Sequence, residues 1–360
     1  MKALVYLLIV FVILSFSCSS LFAQQKGKAN IAVIQAEGSP RQDPFVAEYD
    51  FEKVRPQMMA HFNHLLDLFD EAGRLGADLV AGPEDMQRIG SYGLNINKND
   101  PNTGDILFNS LAEPIPGPLT DKVAAIARAH EMYIIAPIYE NDEGEIFNTA
   151  VLFDRQGNIM GKHRKTILPV LETWLVTPGD EYKVYETDFA PIAIATCWEM
   201  SYPEVSTIYA LKGADMIFNP TMARDNRSGH GLETAPTLIT RARDNSVYIV
   251  PILLGSDGNG IVDFNGNVVA ENVGEKNTVI MAEIDFTEER THQSTWWETI
   301  NGTSNTRAMM MKSRRPDLFQ MITDPQPPIL ERYRDIQLTT GDRERQLEAV
   351  RKVDYGSDTD

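Results

Sequence analysis

The chain has 360 residues, of which 43% are apolar and 23% charged, the composition of a globular protein rather than a disordered or fibrous one. Acidic residues outnumber basic ones by 51 to 33, so the formal net charge is −18. Because nucleic-acid binding requires clustered Lys and Arg, this balance argues against a nucleic-acid partner.

The first 23 residues have the pattern of an export signal. Lys2 precedes an apolar run over residues 3–16, too short to span a bilayer comfortably but typical of the central region of a signal peptide. Cleavage after Ala23 would release a soluble protein, whereas acylation of Cys18 would anchor it as a lipoprotein. The residues before Cys18 fit the lipoprotein pattern poorly, which favours release. We expect an exported protein, periplasmic or secreted, with a lipid anchor at Cys18 as the alternative.

The rest of the chain contains a single cysteine. Cys18 lies in the signal segment, so Cys197 is the one thiol in the body of the protein, which therefore cannot contain an internal disulfide. An inert buried thiol is the ordinary explanation of a lone cysteine. The residues around Cys197 favour a different explanation.

From residue 30 to about residue 285, predicted strands alternate with predicted helices. Strands are predicted over residues 31–34, 78–81, 133–138, 192–195, 215–218 and 247–254, and helices over 56–75, 118–130, 202–212 and 233–244. Hairpins are predicted around residues 155–158 and around Asn265-Gly266. This order of elements indicates a layered α/β domain with mixed sheets.

Two stretches lack this alternation. Residues 88–112 are rich in Asn, Gly, Asp and Ser and predict a long loop. After Glu288 the pattern weakens, so we divide the chain into a signal peptide (1–23, or ending at 17 if a lipoprotein), a folded domain over 30–290 and a C-terminal extension over 291–360. The extension is expected to wrap the core or an oligomer partner.

Reactive side chains stand at or near the ends of predicted strands. Glu84 follows one strand, Cys197 ends another, and Lys165 lies in a basic turn that follows a hairpin. Glu172 comes between that turn and a Pro-Gly-Asp sequence at 178–180. Taken singly, Glu84 and Lys165 would also fit solvated surface positions, so the order of the whole set carries the interpretation.

Pro83-Glu84, Arg164-Lys165 and Cys197-Trp198-Glu199 together resemble, in order and approximate spacing, the nitrilase superfamily of carbon–nitrogen hydrolases. Glu172 matches a further glutamate of that family, and the resemblance extends over about residues 30–320. It implies a four-layer α-β-β-α sandwich, a Glu-Lys-Cys catalytic triad, a homodimer or larger homo-oligomer, and no metal or organic cofactor.

The chemistry of these residue types agrees with the resemblance. Attack on an amide or nitrile carbon needs a thiolate, so Cys197 requires a base, and Glu84 can serve. Lys165 and the backbone N–H of Trp198 can stabilise the charge that develops on the substrate, and Glu172 can hold Lys165 and the substrate nitrogen. Asn219 either lines the substrate pocket or supports a turn around Pro220.

Three functions are compatible with these residues. The first is hydrolysis of a small amide or N-carbamoyl compound through a thioester with release of ammonia, which the amidase-like sequence Tyr202-Pro203-Glu204 favours. The second is conversion of a nitrile to an acid, because the Cys-Trp-Glu sequence and the short spacing from Lys165 to Glu172 resemble nitrilases. The third is an idle protein that keeps the fold for binding. Substrate choice is expected to depend on the loops 86–112 and 221–232 and on the C-terminal tail.

Overall fold

The computed structural model describes residues 27–37, 51–89, 107–169, 172–173, 175–222, 231–232, 235–291 and 302–336, without the side chains of 51–54 and 107. The predicted signal peptide with Cys18, and parts of both predicted substrate loops, lie outside these residues. Within the described ranges, no helix has the length and apolar character needed to cross a membrane.

The strands of the described chain form two sheets. The first sheet has the order β12-β1-β2-β3-β4-β5 and the second β11-β10-β9-β8-β7-β6. The bounds of the strands are β1 Lys28–Gln35, β2 Leu79–Ala81, β3 Tyr133–Asp142, β4 Glu145–Phe153, β5 Ile159–Arg164, β6 Val184–Glu186, β7 Pro191–Ile194, β8 Met216–Thr221, β9 Tyr248–Leu253, β10 Gly260–Val262, β11 Val268–Glu271 and β12 Thr278–Asp285. β1, β2 and β3 run parallel, as do β7, β8 and β9.

Helices cover the outer faces of the sheets. Those in the described ranges are α1 Phe51–Arg74, α2 Leu107–Leu111, α3 Pro118–His130, α4 Pro203–Leu211, α5 Pro236–Asn245 and α6 Thr306–Lys312. A 3₁₀ turn, Cys197–Ser201, precedes α4. The segment after α6 contains three more 3₁₀ turns, Pro316–Leu318, Gln320–Thr323 and Pro328–Tyr333.

Alternating side chains of the strands divide the core into layers. In β1, Ile31 and Val33 pack between the two sheets, whereas Ala32 and Ile34 face α1 and α3. On the outer face of the second sheet, Ile217 packs with residues of α4 and α5. Apolar side chains are thus buried in three layers, one between the two sheets and one between each sheet and its helices. This is the α-β-β-α sandwich that the sequence resemblance implied, so that prediction is confirmed.

Several predicted boundaries need correction. The predicted loop 88–112 ends in the short helix α2, because Phe108 and Leu111 are buried. The first helix begins five residues earlier than predicted, at Phe51, and the helix predicted from 233 begins at Pro236, a residue suited to the first helical turn. The strands β6 and β12 were missing from the prediction. β6 has only three residues, and β12, an edge strand of its sheet, has the apolar residues Val279, Ile280 and Met281 in a row and so lacks the alternating pattern of a half-buried strand.

Candidate active site

Four predicted catalytic residues meet at one end of the sandwich. Glu84 lies three residues after β2, Lys165 directly follows β5, and Cys197 begins the 3₁₀ turn that follows β7. Glu172 lies in the connection between β5 and β6. Because β2 and β5 point in the same direction in the first sheet, their carboxyl ends share one edge, where the end of β7 from the second sheet also lies.

Lys165 is a buried ammonium held between two carboxylates. Its side chain is 1% exposed, and Nζ donates to Glu84 Oε1 at 2.9 Å and to Glu172 Oε2 at 2.7 Å. Glu84 and Glu172 are also buried. A buried charge without partners is strongly destabilising, so the two carboxylates account for the presence of Lys165 in the interior.

Polar groups from β3, from β4 and from the residue after β8 complete this cluster. The Asn148 side chain on β4 donates through Nδ2 to Glu84 Oε1 at 2.7 Å and to Glu172 Oε1 at 3.1 Å. The Tyr139 hydroxyl on β3 donates to Glu172 Oε1 at 3.0 Å, and the backbone N–H of Met222 donates to Glu84 Oε2 at 2.7 Å. Each carboxylate therefore has three fixed donors, which hold it in one orientation.

The turn at Lys165 is held by a close approach of two backbone segments. Gly179 donates its N–H to the Lys165 carbonyl at 2.9 Å, and a Cβ atom at Gly179 would lie 2.2 Å from the Arg164 carbonyl oxygen. No side chain fits at that distance, so the Pro-Gly-Asp sequence has a steric role beside the lysine.

Cys197 adopts a conformation that is uncommon for a residue with a side chain. Its φ is +50°, in the left-handed region, where a non-glycine residue is disfavoured by about 1–2 kcal/mol. Asn219 supports this turn, because its Nδ2 donates to the Ala195 carbonyl at 2.7 Å and lies 3.4 Å from the Cys197 carbonyl. Cys197 as a whole residue is partly exposed.

The surroundings of Cys197 keep it protonated in the resting protein. Removal from bulk water raises the pKa of the thiol, and the Glu84 carboxylate, to which the thiol donates a hydrogen bond, raises it further. The Lys165 ammonium lowers the pKa of the thiol but does not cancel these effects. Because the thiol contacts Glu84, an acceptor for its proton is already in place.

Burial and neighbouring charges have opposite effects on the pKa values of Lys165 and Glu172. Burial alone would lower the pKa of Lys165, but Glu84 and Glu172 outweigh it and raise that pKa far above its ordinary value. Burial raises the pKa of Glu172, Lys165 lowers it and Glu84 raises it, so that the net direction is upward. Lys165 therefore stays charged, while Glu172 holds a proton more readily than an exposed glutamate.

The two predicted substrate-binding residues, Trp198 and Asn219, differ in their exposure beside the cysteine. Trp198 follows Cys197 directly, and its ring is 45% exposed and packs edge-on against Tyr202. Asn219 is buried beneath the turn, where its side chain hydrogen-bonds backbone carbonyls. A substrate-binding role for either residue stays a prediction.

Sequence reasoning missed Tyr139, Asn148 and the Met222 backbone. Asn148 carried a usable signal, because it is a lone amide in the otherwise apolar strand sequence around Phe147 and Ala150. Tyr139 and Met222 carried none that separates them from ordinary core residues. Among the described side chains, no group of three or more His, Cys, Asp or Glu residues is arranged to hold a metal ion.

Two packed sheets between helical layers, with a Glu-Lys-Glu cluster beside a cysteine at a strand end, define the class as that of the nitrilase-type hydrolases. The sequence matches the carbon–nitrogen hydrolase family over residues 30–292. The chain belongs to this family and is a carbon–nitrogen hydrolase, which confirms the predicted superfamily and the predicted general type of enzyme.

Known relatives agree with this assignment. Omega-amidase NIT2 of Xenopus tropicalis is 29% identical over 257 residues, which cover 65% of this chain and 86% of the relative. The bifunctional nitrilase/nitrile hydratase NIT4A of Nicotiana tabacum is 32% identical over 162 residues, 43% of this chain and 46% of that protein. A mutant amidase from Nesterenkonia sp. AN1, described as showing covalent addition of the acetamide moiety of fluoroacetamide at the active site cysteine, has the same fold. Its TM-score is 0.57 at 16% identity, with coverage of 82% of this chain and 97% of that one.

Proposed function

We propose that this protein hydrolyses a small amide or N-carbamoyl compound, with Cys197 as nucleophile and release of ammonia. The observation that carries the proposal is the Lys165 ammonium, buried and bonded to two carboxylates, of which Glu84 also contacts the Cys197 thiol. This arrangement supplies a nucleophile, a proton acceptor and a positive charge within one cluster.

The first half of the reaction forms a thioester. Glu84 takes the proton of the Cys197 thiol as the sulfur attacks the carbonyl carbon, and such a base typically contributes about 10²–10⁴-fold in rate. The carbonyl oxygen becomes negative, and Lys165 and the backbone N–H of Trp198 stabilise it, one such donor contributing about 10²–10³-fold. Glu84 then returns the proton to the nitrogen, the C–N bond breaks and ammonia leaves.

The second half regenerates the thiol. Glu84 removes a proton from water, the resulting hydroxide attacks the thioester, and the carbon–sulfur bond breaks. The product is a carboxylic acid from an amide, or a carbamic acid from an N-carbamoyl compound. The proton held by Glu84 returns to the sulfur. Glu172, bonded to Lys165 and Tyr139, keeps the ammonium in place throughout and is the residue we assign to hold the substrate nitrogen.

The test is ammonia release by the purified protein from a panel of amides, N-carbamoyl compounds and nitriles. Wild type and Cys197→Ala are compared under the same conditions. We expect release from an amide or N-carbamoyl compound that disappears in the variant. Turnover of nitriles alone would favour the nitrilase alternative, whereas activity that is equal in both proteins would refute the cysteine mechanism.

Identical chains are the partner we propose for the C-terminal segment. None of the described side chains in 302–336 is buried, and eight large apolar ones are exposed: Leu318, Phe319, Met321, Ile322, Ile329, Leu330, Tyr333 and Ile336. Exposed apolar surface on this scale is typical of an interface. Light scattering after size-exclusion chromatography should give a mass of at least two chains, and a monomer at micromolar concentration would contradict this proposal.

Export is the last part of the proposal. The apolar run after Lys2 supports it, and cleavage after Ala23 remains favoured over acylation of Cys18. Intact mass of the protein recovered from its native cell envelope would distinguish the two, because cleavage leaves an N-terminal Gln24 and acylation leaves a lipid-modified Cys18.

A further inference from the structure

A further buried carboxylate, besides Glu84 and Glu172, lies next to the catalytic cluster and has no role in the reaction scheme. Glu199 is fully buried and accepts four hydrogen bonds. Its Oε2 accepts from the Thr196 N–H at 2.6 Å and from His163 Nε2 at 2.7 Å. Its Oε1 accepts from the Thr166 N–H at 2.9 Å and from the Thr166 hydroxyl at 2.6 Å.

These donors come from the two segments that carry Lys165 and Cys197. His163 and Thr166 flank Lys165 at the end of β5, in the first sheet. Thr196 and Glu199 flank Cys197 at the end of β7, in the second sheet. Glu199 is therefore a buried polar connection between two sheets that pack mainly through apolar side chains, at the place where one supplies the ammonium and the other the thiol.

Glu199 is held as an anion by His163 and its other hydrogen-bond donors. Burial alone would raise the pKa of Glu199, but His163 and the other donors outweigh it, and the net pKa is lower than usual. A carboxylate only accepts hydrogen bonds, so His163 donates through Nε2. The Tyr209 hydroxyl, on α4, donates to the Ile194 carbonyl at 2.5 Å and lies 3.4 Å from His163 Nδ1, which places the imidazole against the strand below Cys197.

The same contacts hold the unusual backbone of the cysteine. The Glu199 side chain binds the N–H of Thr196, and the Glu199 N–H donates to the Thr196 carbonyl at 3.2 Å. Cys197, with its φ of +50°, lies inside this closed turn. Loss of the carboxylate would release the turn and the Lys165 segment together.

We propose that Glu199 and His163 are positioning residues that fix Lys165 relative to the sulfur of Cys197 across the two sheets. This inference rests on the proposed function, since it assumes that Lys165 and Cys197 act on one substrate. Neither residue is assigned a contact with substrate, so their removal acts on geometry. Misplacement of reacting groups by about 1 Å can reduce a rate roughly 10²-fold without a comparable loss of substrate binding.

The first test compares wild type with Glu199→Gln, which keeps the size of the side chain but exchanges an acceptor oxygen for a donor. We expect kcat to fall about 10–100-fold while KM changes less than about threefold. Glu186→Gln is the matched control, because Glu186 is an exposed glutamate on β6 of the same sheet. Its kcat should equal that of wild type. Equal kcat in folded Glu199→Gln and wild type would overturn the proposal.

If Glu199→Gln fails to fold, two more conservative variants, Thr166→Val and Tyr182→Phe, test the same proposal. The Thr166 hydroxyl lies 2.6 Å from Glu199 and 2.7 Å from the Tyr182 hydroxyl. Thr166→Val removes one donor to Glu199, whereas Tyr182→Phe removes only the other contact of Thr166. We expect kcat of Thr166→Val to fall at least about threefold below that of Tyr182→Phe, and equal values would overturn the proposal.

Alkylation of Cys197 separates failure of this inference from failure of the proposed function. Iodoacetamide reacts with the sulfur by displacement of iodide, and the thiol proton passes to Glu84. This readout needs the positioned cluster but no turnover. If wild type releases no ammonia from any compound, the proposed function fails, yet slower alkylation in Glu199→Gln than in Glu186→Gln still supports positioning. Equal alkylation rates in these two variants would refute it.

Discussion

The end of the sandwich that carries Lys165 and the segment 302–336 differ in how their side chains meet water. At the strand ends, charged groups are buried, and Lys165, Glu84 and Glu172 are each bonded to named partners. In the extension, Leu318 and Ile322 are 67% and 62% exposed. Charge is inside and apolar surface outside, the reverse of the usual distribution.

The buried charges and the exposed apolar side chains have different explanations. Burial of charge is tolerated only where donors and acceptors match, and the matched set at the strand ends is also what the proposed chemistry requires. Exposed apolar side chains cost nothing within one chain but leave surface for another chain to cover. Substitutions at the site should therefore affect activity and chain stability, whereas substitutions of the exposed apolar residues in 318–336 should affect association.

Replacement of Lys165 by Met should have the largest effect. It leaves Glu84 and Glu172 buried without their cation, so we expect the free energy of unfolding to fall by about 3–5 kcal/mol. Ammonia release should fall at least about 10²-fold through loss of the oxyanion partner. Urea denaturation measures the first and an activity assay the second. Lys183→Met, which removes an exposed lysine, is the control and should leave the unfolding midpoint unchanged.

The loss in Lys165→Met should depend on pH in a defined direction. Lys165 lowers the pKa of Glu172, so its removal moves that pKa further above the value in the unfolded chain. A group with a raised pKa stabilises the folded state below its unfolded pKa, about 4.3 for Glu, and loses this contribution as pH rises through the folded pKa. The difference from wild type should therefore be smaller at pH 5 than at pH 7, and a larger difference would contradict the assignment.

Glu84→Gln should lower the pKa of the Cys197 thiol and at the same time reduce turnover. The side chain keeps its shape, so the protein should fold, but loss of the base should reduce kcat by about 10²–10⁴-fold. The Glu84 carboxylate raises the pKa of Cys197, so its removal should lower that pKa. The pH profile of alkylation by iodoacetamide should shift to lower pH while activity is lost. An unshifted profile would show that Glu84 does not act on the thiol.

Arg307→Ala tests a place where the described part of the extension is hydrogen-bonded to the sandwich. Its guanidinium donates to Asp215 Oδ1 at 2.6 Å, to the Ala214 carbonyl at 2.7 Å and to the Ala210 carbonyl at 3.1 Å. We expect a loss of about 1–3 kcal/mol in the free energy of unfolding, with KM and kcat unchanged because Asp215 precedes β8, at the end opposite Cys197. Arg315→Ala, which removes only an exposed pair with Asp317, serves as the control.

Much of the fold and of the cluster could be predicted from the sequence. Helix α3 was predicted at the bounds the structure shows, because Pro118 begins it and its apolar residues recur at helical spacing. The predicted positions Glu84, Lys165 and Cys197 converge because each follows a strand and these strands end at the same end of the sandwich. Glu172 joins them from the connection between β5 and β6. The predicted hairpin between β4 and β5 is also confirmed.

What could not be predicted depends on contacts between distant segments. The Met222 N–H that holds Glu84 is 138 residues away along the chain, and it reaches the carboxylate only once β8 is in place. Glu199 was predicted only as part of the Cys-Trp-Glu motif, and nothing in its neighbours along the chain indicates that its partners flank Lys165. Local pattern identifies such residues as polar and says nothing of what they bind.

The smallest effect on a single chain, and the clearest contrast with the site, is expected in the extension. Leu318→Ser combined with Ile322→Ser removes apolar side chains that contact mainly water, so the free energy of unfolding at low protein concentration should change by less than about 0.5 kcal/mol. If another chain covers this surface, the same pair should weaken association, which sedimentation over a range of concentrations measures. Leu75→Ser, at an exposed position 53% accessible after α1, is the matched control and should leave the mass unchanged. Unaltered association in the double variant would show that the exposed surface of 318–336 is not where the chains meet.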